Sequence, residues 1–111
     1  MQPDDSSQHS RLLGSVLSIQ GALVVGHLLA RAFTGATPVM IGDLVGIDAG
    51  SRRVFGVVHS LRKGRRIDDK PLIEVHLLGE AAAEGHGGGS AFRRGVTVYP
   101  GLDALIYRAT P

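Results

Sequence analysis

Two β-rich runs folded back on a glycine turn constrain this chain more than anything else in it. Residues 39–61 read VMIGDLVGIDAGSRRVFGVVHSL. Leu44 to Ala49 is the first run, Ala49-Gly50-Ser51-Arg52 supplies turn chemistry, and Val54 to Leu61 is the return, so the segment predicts a β-hairpin. Gly46 and Gly56 interrupt the two strands. A glycine inside a strand marks a bulge, a sharp bend or a close backbone approach, as at the corner of a small closed barrel. The hairpin is therefore written for curvature.

A chain of 111 residues has room for one domain and one modest core. Its 16 glycines and 5% aromatic content point to many tight turns, which suits an all-β domain better than a helical one. The absence of cysteine excludes disulfides and thiolate metal sites. Asp4 and Asp5 stand where a secretory signal would be positive, and no apolar run reaches the length of a membrane span, so a cytoplasmic protein without membrane attachment is expected.

Residues 1–11 are polar and aperiodic and read as a disordered tail, leaving 12–111 as the domain. From Leu12 the text alternates as far as Gln20-Gly21, which turns the chain into a return strand from Ala22 to about Leu29. A helix through Leu23 to Phe33 is the competing reading, opposed by Gly21, Gly26 and the Val24-Val25 pair. Residues Thr34 to Pro38 read as a loop. Pro71 opens a fifth strand with Ile73, Val75 and Leu77 on one face and Glu74 and His76 on the other; Val96 to Tyr99 and Ala104 to Ala109 complete the set. The prediction is a small closed β-barrel of about six strands, a form that removes exposed sheet edges. Val45, Ile47, Val57, Ile73, Val75 and Leu77 are its expected core.

Candidate chemistry is sparse. Residues 62–70, RKGRRIDDK, form a charged turn in which Arg62, Lys63, Arg65 and Arg66 are candidates for nucleic-acid or partner contact, partly neutralised by Asp68 and Asp69. Glu74 and His76 share a face, but no second ligand pair accompanies them and His27, His59 and His86 stand in unrelated sequence contexts, so exposed polar side chains are expected rather than a metal site. The glycine run at 85–89, in the expected loop Ala81 to Ala91, lacks the Gly-Lys-Ser/Thr ending that holds phosphate, and the chain has that ending nowhere. No nucleophile with a partner, no carboxylate pair in an apolar setting and no cofactor fingerprint is present, so no catalytic residue, cofactor or metal is assigned. Ten of the twelve basic residues are arginine, mostly in pairs, which suits planar gripping of carboxylate or phosphate at an interface.

Several of these segments together carry a resemblance. Gly14-x-Val16, Ile41-Gly42-Asp43-Leu44-Val45, Gly56-Val57-Val58, Leu77-Leu78-Gly79-Glu80 and above all Phe92-Arg93-Arg94-Gly95-Val96-x-Val98-Tyr99-Pro100 resemble the N-terminal barrel, or HAS-barrel, of HerA-like hexameric DNA-translocating ATPases. That barrel is similar in turn to the N-terminal barrel of the ATP synthase catalytic subunits. The resemblance covers roughly Leu12 to Thr110. It implies a non-catalytic module that packs into a homo-oligomeric ring, a hexamer in the family, with a motor domain in cis or trans and a docking face for a partner nuclease. Arg93, Arg94 and Tyr99 are the interface candidates it singles out. In the family a P-loop motor follows the barrel, whereas this sequence ends at Pro111, so no ATP hydrolysis is expected of it.

The competing function is a nucleic-acid-binding barrel of the oligonucleotide-binding type, which stacks bases on aromatic side chains along a basic groove. Phe33, Phe55, Phe92, Tyr99 and Tyr107 are scattered, and none flanks RKGRR. Weak direct nucleic-acid binding, or none, is therefore expected.

Overall fold

A computed structural model describes residues 11–35, 37–64, 66, 69–82 and 92–109. The expected tail through residue 10, the greater part of the glycine loop (83–91), Arg65 and Asp68 lie outside the described residues. The strands are β1 (Leu12–Gln20), β2 (Leu23–Leu28), β3 (Leu44–Ala49), β4 (Arg52–Arg62), β5 (Leu72–Ala82), β6 (Arg93–Arg94) and β7 (Leu105–Arg108), and a short helix, α1 (Ala30–Thr34), follows β2.

The sheet runs β2-β1-β7-β3-β4-β5-β6, and β2 also pairs with β5, so six strands close on themselves and β6 is an addition at the rim. Every pairing is antiparallel. The expected all-β closed barrel of about six strands is the observed fold. Both tight hairpins turn on two residues, Gly21-Ala22 between Gln20 and Leu23 and Gly50-Ser51 between Ala49 and Arg52. In each, glycine comes first, at φ 61° and 68°, which side chains disfavour and which matches the twist of the flanking strands.

Inside the closed sheet, Val16, Val24, Val45, Ile47, Val54, Val58, Ile73, Val75 and Ile106 are at most 1% exposed. Each such side chain stabilises the fold by roughly 1.5–3 kcal/mol relative to an exposed one. Of the expected core, Val45, Ile47, Ile73, Val75 and Leu77 are buried, whereas Val57 is only half-buried. In β4 the inward positions are Val54, Gly56 and Val58, which turns Val57 outward. The register slips beside Gly56, between Phe55 and Gly56, so the expected irregularity is there, whereas Gly46 pairs with Phe55 in unbroken register.

Three elements differ from expectation. The return strand stops at Leu28, and Ala30–Thr34 forms α1, so the helical propensity of this stretch is realised only in its final turn. The helix buries Ala32, whose carbonyl accepts from Val39 N at 2.7 Å, and both residues join the core. Val96 to Tyr99 is not a strand; the pairing falls instead on Arg93–Arg94, and the following residues take an irregular path. The closing strand is trimmed to Leu105–Arg108 because the backbone at 103–104 is engaged with Val16, Asp103 N donating to its carbonyl and Ala104 O accepting from its N–H, each at 2.8 Å.

Candidate functional site

Strands β4 and β5 are long enough to run the full height of the barrel, and their pairing fixes its two ends. Arg62 pairs with Leu72 at the end where β2 leads into α1; Arg52 pairs with Ala82 at the other, where β6 is added. The two expected groups of functional residues therefore do not meet. Arg93, Arg94 and Tyr99 belong to the β6 end, and Arg62, Lys63 and Arg66 to the α1 end.

At the β6 end the organising residue is Glu80, which in the sequence stands only as the last residue of Leu77-Leu78-Gly79-Glu80. The slip in β5 around Leu78 leaves Gly79 opposite Phe55 and Glu80 opposite Val54, a fully buried inward position. Glu80 is itself fully inaccessible, and its carboxylate is surrounded by donors. Oε1 accepts from Thr97 N at 2.6 Å and Val98 N at 3.3 Å; Oε2 accepts from the Thr97 hydroxyl at 2.6 Å and lies 3.4 Å from Arg52 Nε. The Thr97 hydroxyl and then its backbone N–H hold the carboxyl below its ordinary pKa; desolvation opposes them, and Val98 N–H and Arg52 add to the lowering. A charged carboxylate thus takes the place of strand pairing for residues 97–98, which is why they can leave the sheet and still be ordered.

The segment so held presents a distinctive surface. Phe92, Val98, Tyr99 and Leu102 are 52%, 41%, 51% and 67% exposed, and Leu78 beside them is 46% exposed. Phe92 is oriented by an edge contact with Phe55, ring centroids 5.9 Å apart, over the bare backbone of Gly79. Arg93 and Arg94 are exposed and have no ion pair or hydrogen bond from their side chains among the described residues. Exposed apolar side chains and exposed guanidinium groups on one rim form a surface suited to burial against an apolar face carrying carboxylates.

The α1 end is basic in a different way. Arg62 is engaged by Glu74 at 3.2 Å, while Lys63 and Arg66 are exposed. Asp69 builds the turn, accepting from Arg66 N at 2.9 Å and donating its own N–H to Arg66 O at 3.1 Å, as expected of a turn aspartate. A cleft of about 400 Å³ opens nearby, lined by Arg11, Arg31, Gly35, Thr37 and Arg108. Arg108 is tied to Thr37 O at 2.6 Å and to Asp43 at 3.6 Å. Arg11 stands just before β1, Arg31 in α1 and Arg108 in β7, so no sequence spacing could have grouped them.

Glu74 and His76 share the outer face as expected but do not act as a pair. Glu74 accepts from Ser60 Oγ at 2.7 Å and from Arg62, while His76 stacks on His59, ring centroids 5.0 Å apart. The expectation that His59 stands in an unrelated context is therefore corrected: the register of β4 and β5 brings the two histidines together. Among the described residues no helix is long and apolar enough to cross a membrane, and no three metal-ligating side chains gather. Compared with known proteins, the chain matches no family model and no curated sequence.

Proposed function

We propose that this chain is a non-catalytic assembly and partner-docking barrel of a HerA-like DNA-translocating ATPase, a cytoplasmic module that packs side by side in a ring and meets a motor domain in cis or trans. The observation that carries this reading is the β6 rim, where Phe92, Val98, Tyr99 and Leu102 stand exposed beside the exposed Arg93 and Arg94. The anchoring of this rim by buried Glu80 supports it, because a surface ordered before contact loses less entropy on binding. The Phe92 to Pro100 motif, the strongest part of the sequence resemblance, coincides with the same rim. A partner nuclease is a further occupant that the resemblance suggests.

The test is sedimentation of the barrel at high concentration, alone and with the motor domain, for the unaltered chain and for Arg93→Glu with Arg94→Glu. Charge reversal is expected to abolish assembly while the far-ultraviolet spectrum stays that of a β-protein. Assembly unaffected by the reversal would remove Arg93 and Arg94 from the interface.

A second reading, a nucleic-acid-binding barrel, draws on the arginine-lined cleft at the α1 end and on Phe33 of α1, 40% exposed. Single-strand DNA titration at two salt concentrations separates the two: tight binding that falls steeply with salt and is lost on changing Arg62, Lys63, Arg65 and Arg66 to alanine would favour the second.

A further inference from the structure

We propose that His59 and His76 form a binding site for one late first-row divalent cation, copper(II), nickel(II) or zinc(II), with water in the remaining coordination positions. The inference is independent of the assembly role. It begins with the backbone: Val58 pairs with Val75 and Ser60 with Glu74, so His59 is the extra residue of a bulge in β4. Such a bulge re-aims its side chains. Here it leaves Val58 buried in the core and turns His59 outward, beside His76 on β5; both histidines are exposed to solvent.

The spacing suits chelation. With a metal at about 2.0–2.1 Å from each ring nitrogen, each imidazole centroid lies roughly 3.2 Å from the ion, so two ligands of a tetrahedral site have centroids about 5.2 Å apart. For adjacent square-planar positions the same arithmetic gives about 4.5 Å. The observed 5.0 Å falls between them. The rings are within 11° of parallel and stacked, an arrangement in which their nitrogens do not aim at one point. Turning one ring about its side-chain bonds opens the pair onto an ion, and exposure leaves room for that turn. Strands β4 and β5 hold the two backbones in place meanwhile, so the entropy lost on binding is confined to side-chain torsions.

The neighbours decide the class of ion. Glu74, the nearest carboxylate along β5, has one oxygen held by Ser60 and the other by Arg62, so the two imidazoles lead the donor set. Two neutral imidazoles with water select late first-row metals in the order copper(II) above nickel(II) and zinc(II), and they offer nothing to calcium or magnesium, which require several oxygens.

The experiment uses the untagged full chain titrated with copper(II), nickel(II) and zinc(II) chlorides by calorimetry, with electron paramagnetic resonance of the copper form. One saturable site is expected, with two imidazole nitrogens in the copper spectrum. His59→Ala and His76→Ala should each weaken copper binding by about tenfold or more, since each leaves a single ligand. His9→Ala and His86→Ala should leave it unchanged. Circular dichroism of each variant shows that the barrel persists, and the nitrogen count in the unaltered chain is independent of any variant. Failure to saturate below about 1 mM copper, or affinity unchanged by both His59→Ala and His76→Ala, would overturn the site.

Discussion

Gly56 offers the sharpest test of the barrel's geometry. It lies on the inward face of β4 opposite Leu77, at the point where the β4–β5 register slips. A methyl group placed on it would sit 2.5 Å from His76 O and 2.5 Å from Val75 Cγ1. Val75 can shift its methyl slightly, but the carbonyl belongs to a paired strand and can move only with the sheet. Overpacking of this kind costs about 1–3 kcal/mol, against which alanine regains about 0.4–1 kcal/mol by restricting the unfolded chain. Gly56→Ala should therefore destabilise by about 1–2 kcal/mol net, and with a urea m-value near 1–3 kcal/mol/M its midpoint should fall by about 0.3–2 M. Gly101→Ala is the control: among the described residues nothing lies within 4 Å of the added methyl, and the backbone is not left-handed. That change should raise stability by about 0.4–1 kcal/mol. The measurement is urea denaturation followed by circular dichroism. A Gly56→Ala midpoint within about 0.2 M of the unaltered chain would show that the close approach of β4 and β5 is not there.

Further outcomes follow from other positions. Ile73, fully buried beside Gly26 and Ile106, should cost about 2–5 kcal/mol when changed to alanine, read in the same denaturation assay. The folded pKa of Glu80 is lowered, so its stabilising contribution is complete above the unfolded value of about 4.3 and is lost as pH falls through the lower folded value. A plot of melting temperature against pH should thus show the unaltered chain above Glu80→Gln at pH 7 and the two converging in strong acid; a constant gap would refute the linkage. Magnesium-dependent ATP binding should be undetectable by calorimetry, because the chain carries no Gly-Lys-Ser/Thr to hold phosphate and metal.

How far the sequence could be read depended on how local each signal was. The two glycine hairpins announce themselves in consecutive residues, and their turns lie where Gln20-Gly21 and Gly50-Ser51 place them. Alternation along β5 gave the inward set Ile73, Val75 and Leu77 correctly. In β4 the unbroken Val57-Val58 pair hides which valine faces in, and only the inward Gly56 decides it. Val96 to Tyr99 has strand composition but no strand, because a carboxylate seventeen residues upstream satisfies its backbone. Glu80 was invisible as an anchor for the same reason: a glutamate after a glycine reads as a strand end unless the segment that will cover it is known. The stacking of His59 on His76 requires a bulge that no periodicity reveals.

The separation of the two basic groups has a consequence for any attempt to assign them. Arg93 pairs with Glu80 and Glu80 with Val54, while the α1 end begins at Arg62, eight residues further along β4. At about 3.3 Å per residue the distance is roughly 26 Å. This exceeds the screening length of about 8–10 Å at ordinary salt, so the field at one end is scarcely felt at the other. Reversing Arg93 and Arg94 therefore leaves the potential around Lys63, Arg66 and the arginine-lined cleft essentially as it was. Loss of protein assembly with nucleic-acid affinity unchanged would assign assembly to the β6 rim alone. Simultaneous loss of both, in a barrel that remains folded, would mean that a nucleic acid or a partner spans the full height of the β4–β5 ribbon.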